Sequence, residues 1–135
     1  MENMGTKTLE TERLILRRFR LEDAKEMYTN WASDPEVTRF LTWPPHTSVE
    51  VTKRLLGEWV KAYEELSTYN WVMELKDTHE LVGNISVVRL SENIAAADMG
   101  YCMGRAWWGK GLMHEALRVV ADYLFTEVGL NRIAA

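Results

Sequence analysis

The sequence predicts an α+β fold, a mixed and mostly antiparallel sheet flanked by helices, in a single domain over residues 1–135. Three observations carry this. Residues 69–104 hold three consecutive strand-like runs separated by short polar turns, the pattern of antiparallel pairing. Amphipathic helical runs stand on both sides of that block, at 48–65 and 112–127. The chain has 135 residues, 47% hydrophobic and 27% charged, enough for one core and too few for two.

The elements follow in order. Arg13–Phe19 reads as a first strand, with Leu14, Leu16 and Phe19 as its apolar positions. Leu21–Ala32 reads as a helix whose Ala24, Met27, Tyr28 and Trp31 fall on one face. Asp34-Pro35 ends it, because the residue before proline avoids helical geometry. Arg39–Thr47 is a proline-stiffened loop carrying Phe40, Leu41 and Trp43. Thr47 and Glu50 match a capping box for a helix from Ser48 to Glu65, with Val51, Leu55, Trp59 and Ala62 as its buried stripe. Tyr69–Lys76 and Leu81–Leu90 form a hairpin around the turn "DTHE", and Ala95–Gly104 is a fourth strand. A helix then runs from Leu112 to Glu127, with Leu112, Ala116, Val119, Val120 and Tyr123 inward and Gly129 as its C′ residue. Asn131–Ala135 opens a fifth strand, and an ending there reads as a fragment of a longer protein.

Composition excludes several classes. A net charge of −4 argues against a dedicated nucleic-acid binder, which carries a basic face. One cysteine, Cys102, permits neither an intrachain disulfide nor a cysteine-ligated zinc site, so no metal is expected. The first residues hold no apolar run, and no stretch approaches the ~18 apolar residues of a membrane span. The expectation is a cytoplasmic protein without membrane contact.

The segment "GRAWWGKGLMHEAL" places three glycines, Gly104, Gly109 and Gly111, between a strand and a helix. The first N–H groups of a helix lack internal partners and carry the positive end of its dipole. Glycines before them allow positive φ and close approach of a bulky anion, so the junction suits a phosphate, with Arg105 and Lys110 adding charge. A tight turn that needs its glycines for geometry alone is the competing explanation. The dinucleotide fingerprint fails, since His114 stands where its third glycine belongs. The nucleotide-triphosphate loop matches at Gly104, Gly109 and Lys110, but Gly111 replaces the hydroxyl residue that binds Mg²⁺.

A third motif, [QR]-x-x-G-x-[GA], belongs to the GNAT N-acetyltransferase superfamily, where it grips the pyrophosphate of acetyl-CoA. Here its register is Trp108 to Met113, and only Gly111 fits strictly. The wider segments "LETERLILRRFRLEDA", "WPPHTSVEVTKRLL", "NWVMELKDTHELVGNISV" and "DMGYCMGRAWWGKGLMHEAL" resemble, in order, the ribosomal-protein N-terminal acetyltransferase (Rim-type) branch of that superfamily. In that branch an aromatic residue before G-K-G is usual.

The resemblance implies a GNAT-like fold lacking the C-terminal strands and last helix, with residues 1–135 making the first three quarters of the domain. It implies acetyl transfer from acetyl-CoA to a primary amine by direct attack in a ternary complex. The amine is a protein N-terminus or a small amine. By register, Tyr101, Cys102 and Met103 take the pantetheine arm. Gly109, Lys110, Gly111, Leu112, Met113 and His114, with Trp108 before them, take the pyrophosphate, and Met113 crowds the anion. The Met103 amide is the oxyanion donor and Asp98 the candidate base, against an ordinary strand-end carboxylate. Ser86 faces the cleft or simply packs. Cys102 as an acyl-carrying nucleophile lacks an adjacent histidine. Trp31, Phe40, Trp43 and His46 are candidates for the acceptor side, against a role as core aromatics. An apolar sheet surface left uncovered by the missing strands would favour a homodimer. Two other readings stay open: a non-catalytic acyl-CoA-binding or interaction module, and a nucleotide-triphosphate binder.

Overall fold

Successive residues of a strand point to opposite faces, so a strand buried along its whole length must have a layer on each side. Asn70 to Met73 are all buried. Trp71 and Met73 join one apolar cluster, with Ile85, Met103, Ala116, Val120 and Tyr123. Val72 joins the other, with Met27, Trp31, Leu56 and Cys102. The sheet therefore lies between two helical layers.

The computed structural model describes residues 1–39, 41 and 43–134. Its elements are β1 (Leu9–Glu10), β2 (Leu14–Arg17), α1 (Ala24–Met27), α2 (Pro35–Thr38), α3 (Val49–Ala62), β3 (Asn70–Leu75), β4 (Leu81–Ser91), β5 (Ala96–Met103), α4 (Leu112–Tyr123) and β6 (Arg132–Ala134). One six-stranded sheet runs β1-β2-β3-β4-β5-β6 in chain order. Neighbours from β1 to β5 are antiparallel, and β6 joins β5 in parallel across α4. The expected hairpin, fourth strand and late strand all form. No helix among the described residues is long and apolar enough to cross a membrane.

Several boundaries differ from the sequence expectation. The first strand is shorter, Leu14–Arg17, and is preceded by the two-residue β1, too short to leave a periodic signal. The helix expected over Leu21–Ala32 changes pitch twice: a tight turn at Leu21–Asp23, α1, then a wide turn at Tyr28–Ala32. Pro35 does not simply end it. It opens α2 at the first helical position, with the Asp34 carboxylate accepting the Glu36 N–H at 2.9 Å. The Thr47–Glu50 box is not made; Ser48 is the N-cap, and its side chain forms no cap bond. The buried line of α3 is Thr52, Leu56 and Tyr63, one residue round from the expected stripe, with Leu55 and Trp59 half-buried beside it. Thr52 is polar and gives no apolar signal; its burial is satisfied by its hydroxyl meeting His46 Nδ1 at 2.6 Å. Past α4 the chain widens at Leu124–Val128 and closes on Gly129 (φ 87°), the expected C′ residue. Val119 is only half-buried.

A buried ion cluster ties the first layer to the sheet. Arg17 forks onto both Asp23 oxygens at 3.0 Å, and its Nε reaches Glu74 at 2.9 Å.

Candidate functional site

Antiparallel pairing leaves alternate residues of β5 facing away from β4. The Gly104 N–H donates to Val82 O at 2.8 Å, so even-numbered residues near the end of β5 bond to β4. The odd-numbered ones point to the opposite edge, where Ala95 O accepts the Asn131 N–H at 2.6 Å. β6 covers that edge only along Ala96, Ala97 and Asp98. The Tyr101 and Met103 amides beyond it have no strand neighbour among the described residues. Met103 O is taken by Trp108 Nε1 at 2.7 Å.

Just past this edge lies the glycine turn. Gly109 and Gly111 both have φ 77°, a left-handed geometry that side-chain-bearing residues resist. A Cβ at Gly109 would meet nothing within 4 Å, so this cradle is open. Gly111 is the N-cap of α4 and offers no side chain to its amides. The first intrahelical bond is Glu115 N–H to Gly111 O at 3.1 Å, which leaves the Leu112, Met113 and His114 N–H groups without helical partners. An anion is what such an end can hold. Gly104 belongs to a different problem: a Cβ there would lie 2.5 Å from Asn30 O and 2.8 Å from the Trp107 ring.

Charge around the turn is arranged differently from the expectation. Arg105 is engaged by Asp34, Nε to Oδ2 at 2.6 Å, and this bond leads the effects holding the Asp34 carboxyl below its ordinary value. Lys110 is exposed, and its carbonyl accepts from Arg13 Nη1 at 3.1 Å. Glu115 fixes the turn from below, accepting from the Thr11 hydroxyl, the Arg13 N–H (2.9 Å) and Arg13 Nε (2.8 Å).

A cleft of about 1270 Å³ runs from the α2–α3 loop across β5 to this turn. It brings together Asp98, Tyr101, Cys102, Met103, Trp108, Gly109, Gly111, Leu112, Met113 and His114 with Trp43 and Ser86. Met113 is partly buried, packing against the core while it lines the cleft. Trp31 and His46 lie elsewhere. Trp31 is fully buried in the second cluster, its Nε1 without a partner in the described structure. His46 is buried under Trp43, ring centroids 4.6 Å apart, and burial lowers its imidazole pKa. Phe40 lies outside the described residues. Asp98 is half-exposed and pairs with Arg89 at 3.7 Å.

Sequence reasoning missed Asn70 and Asn84, which line the cleft while 7% and 6% exposed. Asn84 Nδ2 donates to Asn70 Oδ1 at 3.2 Å, and the Cys102 thiol donates to Asn84 Oδ1 at 2.8 Å. Burial pushes the Cys102 thiol up to about 12, so no thiolate is present near neutral pH for an acyl-carrying step. The available signal was two polar residues on otherwise apolar strands.

Residues 13–135 match the model of the acetyltransferase (GNAT) domain. The chain belongs to the GNAT acetyltransferase family. It is 37% identical over 128 residues to the uncharacterised N-acetyltransferase p20 of Bacillus licheniformis, covering 95% of this chain and 71% of that one. It is 29% identical over 141 residues to the [ribosomal protein uS5]-alanine N-acetyltransferase of Escherichia coli (strain K12), covering 98% and 71%. A solved ribosomal L7/L12 α-N-protein acetyltransferase, RimL, in complex with coenzyme A, superimposes with a TM-score of 0.82 at 17% identity, over 94% of this chain and 72% of that one. The fold of this acetyltransferase is thus the GNAT fold, and the expected resemblance to the ribosomal-protein branch stands. The antiparallel order β2 to β5 differs from the parallel sheet of a nucleotide-triphosphate loop protein.

Proposed function

We propose that this acetyltransferase moves an acetyl group from acetyl-CoA to a primary amine by direct attack, with both substrates in the cleft across β5. The observation that carries the reading is the uncapped start of α4 behind Gly109 and Gly111, opening on the same cleft as the free edge of β5. Acetyl-CoA supplies an acetyl thioester and a pyrophosphate. The amides of Leu112, Met113 and His114 hold the pyrophosphate, with Lys110 beside them. The amides of Tyr101 and Met103 align the pantetheine arm along β5, and the Met103 N–H donates to the acetyl oxygen as negative charge develops there.

An amine attacks only when neutral, so a group on the cleft must accept its proton. Asp98 is the one carboxylate among the described cleft-lining residues, and it shares a face of β5 with Gly100 and Cys102. It takes the proton through water. Trp43, which also lines the cleft, supplies an apolar surface for the acceptor. Holding both reactants in one cleft supplies much of the rate. Amine-dependent release of free thiol from acetyl-CoA tests the reading. Thiol release that is the same with and without amine contradicts it.

A further inference from the structure

In antiparallel pairs, directly opposed residues put their side chains on the same face. Asn70 opposes Ser86, which opposes Gly100; Asn84 opposes Val72 and Cys102. All six positions share the face that carries the second apolar cluster. The Val87 N–H donates to Tyr69 O, so the Asn70–Ser86 rung is the closely spaced, non-hydrogen-bonded kind. Gly100 leaves the third place on that rung without a side chain, one residue from Tyr101 at the open edge of β5.

The polar atoms on this face form a directed chain. Cys102 S–H donates to Asn84 Oδ1, and Asn84 Nδ2 donates to Asn70 Oδ1. With the thiol as donor, each amide presents its oxygen to the group before it in the chain. Asn70 Nδ2 is what remains, and it donates no hydrogen bond among the described residues. The backbone of Asn70 is held on both sides. Its N–H donates to the Thr6 hydroxyl at 3.0 Å and its carbonyl accepts from Tyr63 OH at 2.8 Å. The side chain is more than nine-tenths buried yet lines the cleft, beside Ser86, whose hydroxyl also has no partner there.

We infer that Asn70 Nδ2, held donor-outward by Asn84 and Cys102, is a specificity-determining group that hydrogen-bonds a carbonyl oxygen of the acceptor. Resting on the acetyltransferase reading, this selects amines that carry a carbonyl close by over simple alkyl diamines. A site built to donate a hydrogen bond rejects an analogue without an acceptor, because its own buried group is left unpaired. Asn70 touches the acceptor; Asn84 and Cys102 are positioning residues.

The test is nuclear magnetic resonance of the ¹⁵N-labelled chain with coenzyme A present, titrated with alanyl-alanine amide and separately with 1,4-diaminobutane. The Asn70 side-chain NH₂ pair should shift with the dipeptide and stay still with the diamine. Asn70→Asp should weaken the dipeptide about tenfold and leave coenzyme A binding unaltered. Cys102→Ser, which keeps a donor, should preserve the dipeptide affinity that Cys102→Val reduces. Equal responses to both amines, a dipeptide response that bypasses Asn70, or no dipeptide response would each overturn the inference. Failure of the acetyltransferase reading would show separately, as absence of coenzyme A shifts at residues 109–114.

Discussion

The backbone N–H of Arg13 donates to the Glu115 carboxylate at 2.9 Å across a separation of 102 residues. Glu115 sits on the first turn of α4 and Arg13 between β1 and β2, so one carboxylate locks the glycine turn to the start of the sheet. Burial alone would raise the Glu115 carboxyl. Hydrogen bonds from the Thr11 hydroxyl, the Arg13 N–H and the Arg13 guanidinium outweigh it and hold the carboxyl below its ordinary value of 4.5. A carboxyl depressed in the folded state contributes stability in full above its unfolded value, and loses it as pH falls through the folded value. Glu115→Gln should therefore cost about 2 kcal/mol at pH 7. The gap to the native chain should shrink as pH drops below 4.5. Urea unfolding at both pH values measures it, and a gap independent of pH contradicts the clamp.

Gly104 and Gly109 should respond to alanine in different ways. At Gly109 the added methyl has open space, so only left-handed strain is felt, about 1 kcal/mol. At Gly104 the methyl collides with Asn30 O and the Trp107 ring, so the cost should be larger, about 2–3 kcal/mol. Denaturant midpoints of the two variants decide, and the reverse order would contradict the open space at Gly109.

Asp98→Asn keeps the shape of the side chain and removes its basicity. The expected result is a fall in kcat on the order of 100-fold with little change in KM. An unchanged kcat would remove Asp98 from the mechanism and leave the Met103 amide assignment untouched.

Cys102 should resist iodoacetamide in the folded chain at pH 8, because its thiol is buried and pushed up to about 12. Adding denaturant should bring rapid labelling. Fast labelling of the native chain would contradict the donor role of the thiol toward Asn84.

Much of this molecule was legible in its sequence, and the reasons are physical. The hairpin Asn70–Ser91 declared itself as two runs rich in apolar and β-branched residues around a polar turn, and the helix after Gly111 as apolar residues at helical spacing. Gly109 and Gly111 were legible as a turn because few other residues hold φ 77°. The α3 stripe was misread by one residue because Thr52 is buried through a partner, His46, that periodicity does not reveal. Trp31 and His46 looked like acceptor-side residues because aromatic and imidazole groups suit both clefts and cores, and here the core took them. Asn70 and Asn84 stood out only as polar residues on apolar strands; their linkage to Cys102 was not legible, because strand registers across three strands bring it together.

The central claim is that the turn from Gly109 to His114 holds the pyrophosphate of acetyl-CoA. Calorimetric titration of the chain with acetyl-CoA tests it most directly, beside Gly111→Glu, which sets a negative charge at the helix start. Gly111→Asn serves as the control, since asparagine tolerates the same backbone geometry. The account predicts binding to the native chain, binding retained in Gly111→Asn, and binding abolished in Gly111→Glu. Acetyl-CoA heat that is absent from the native chain, or unchanged in Gly111→Glu, would contradict it.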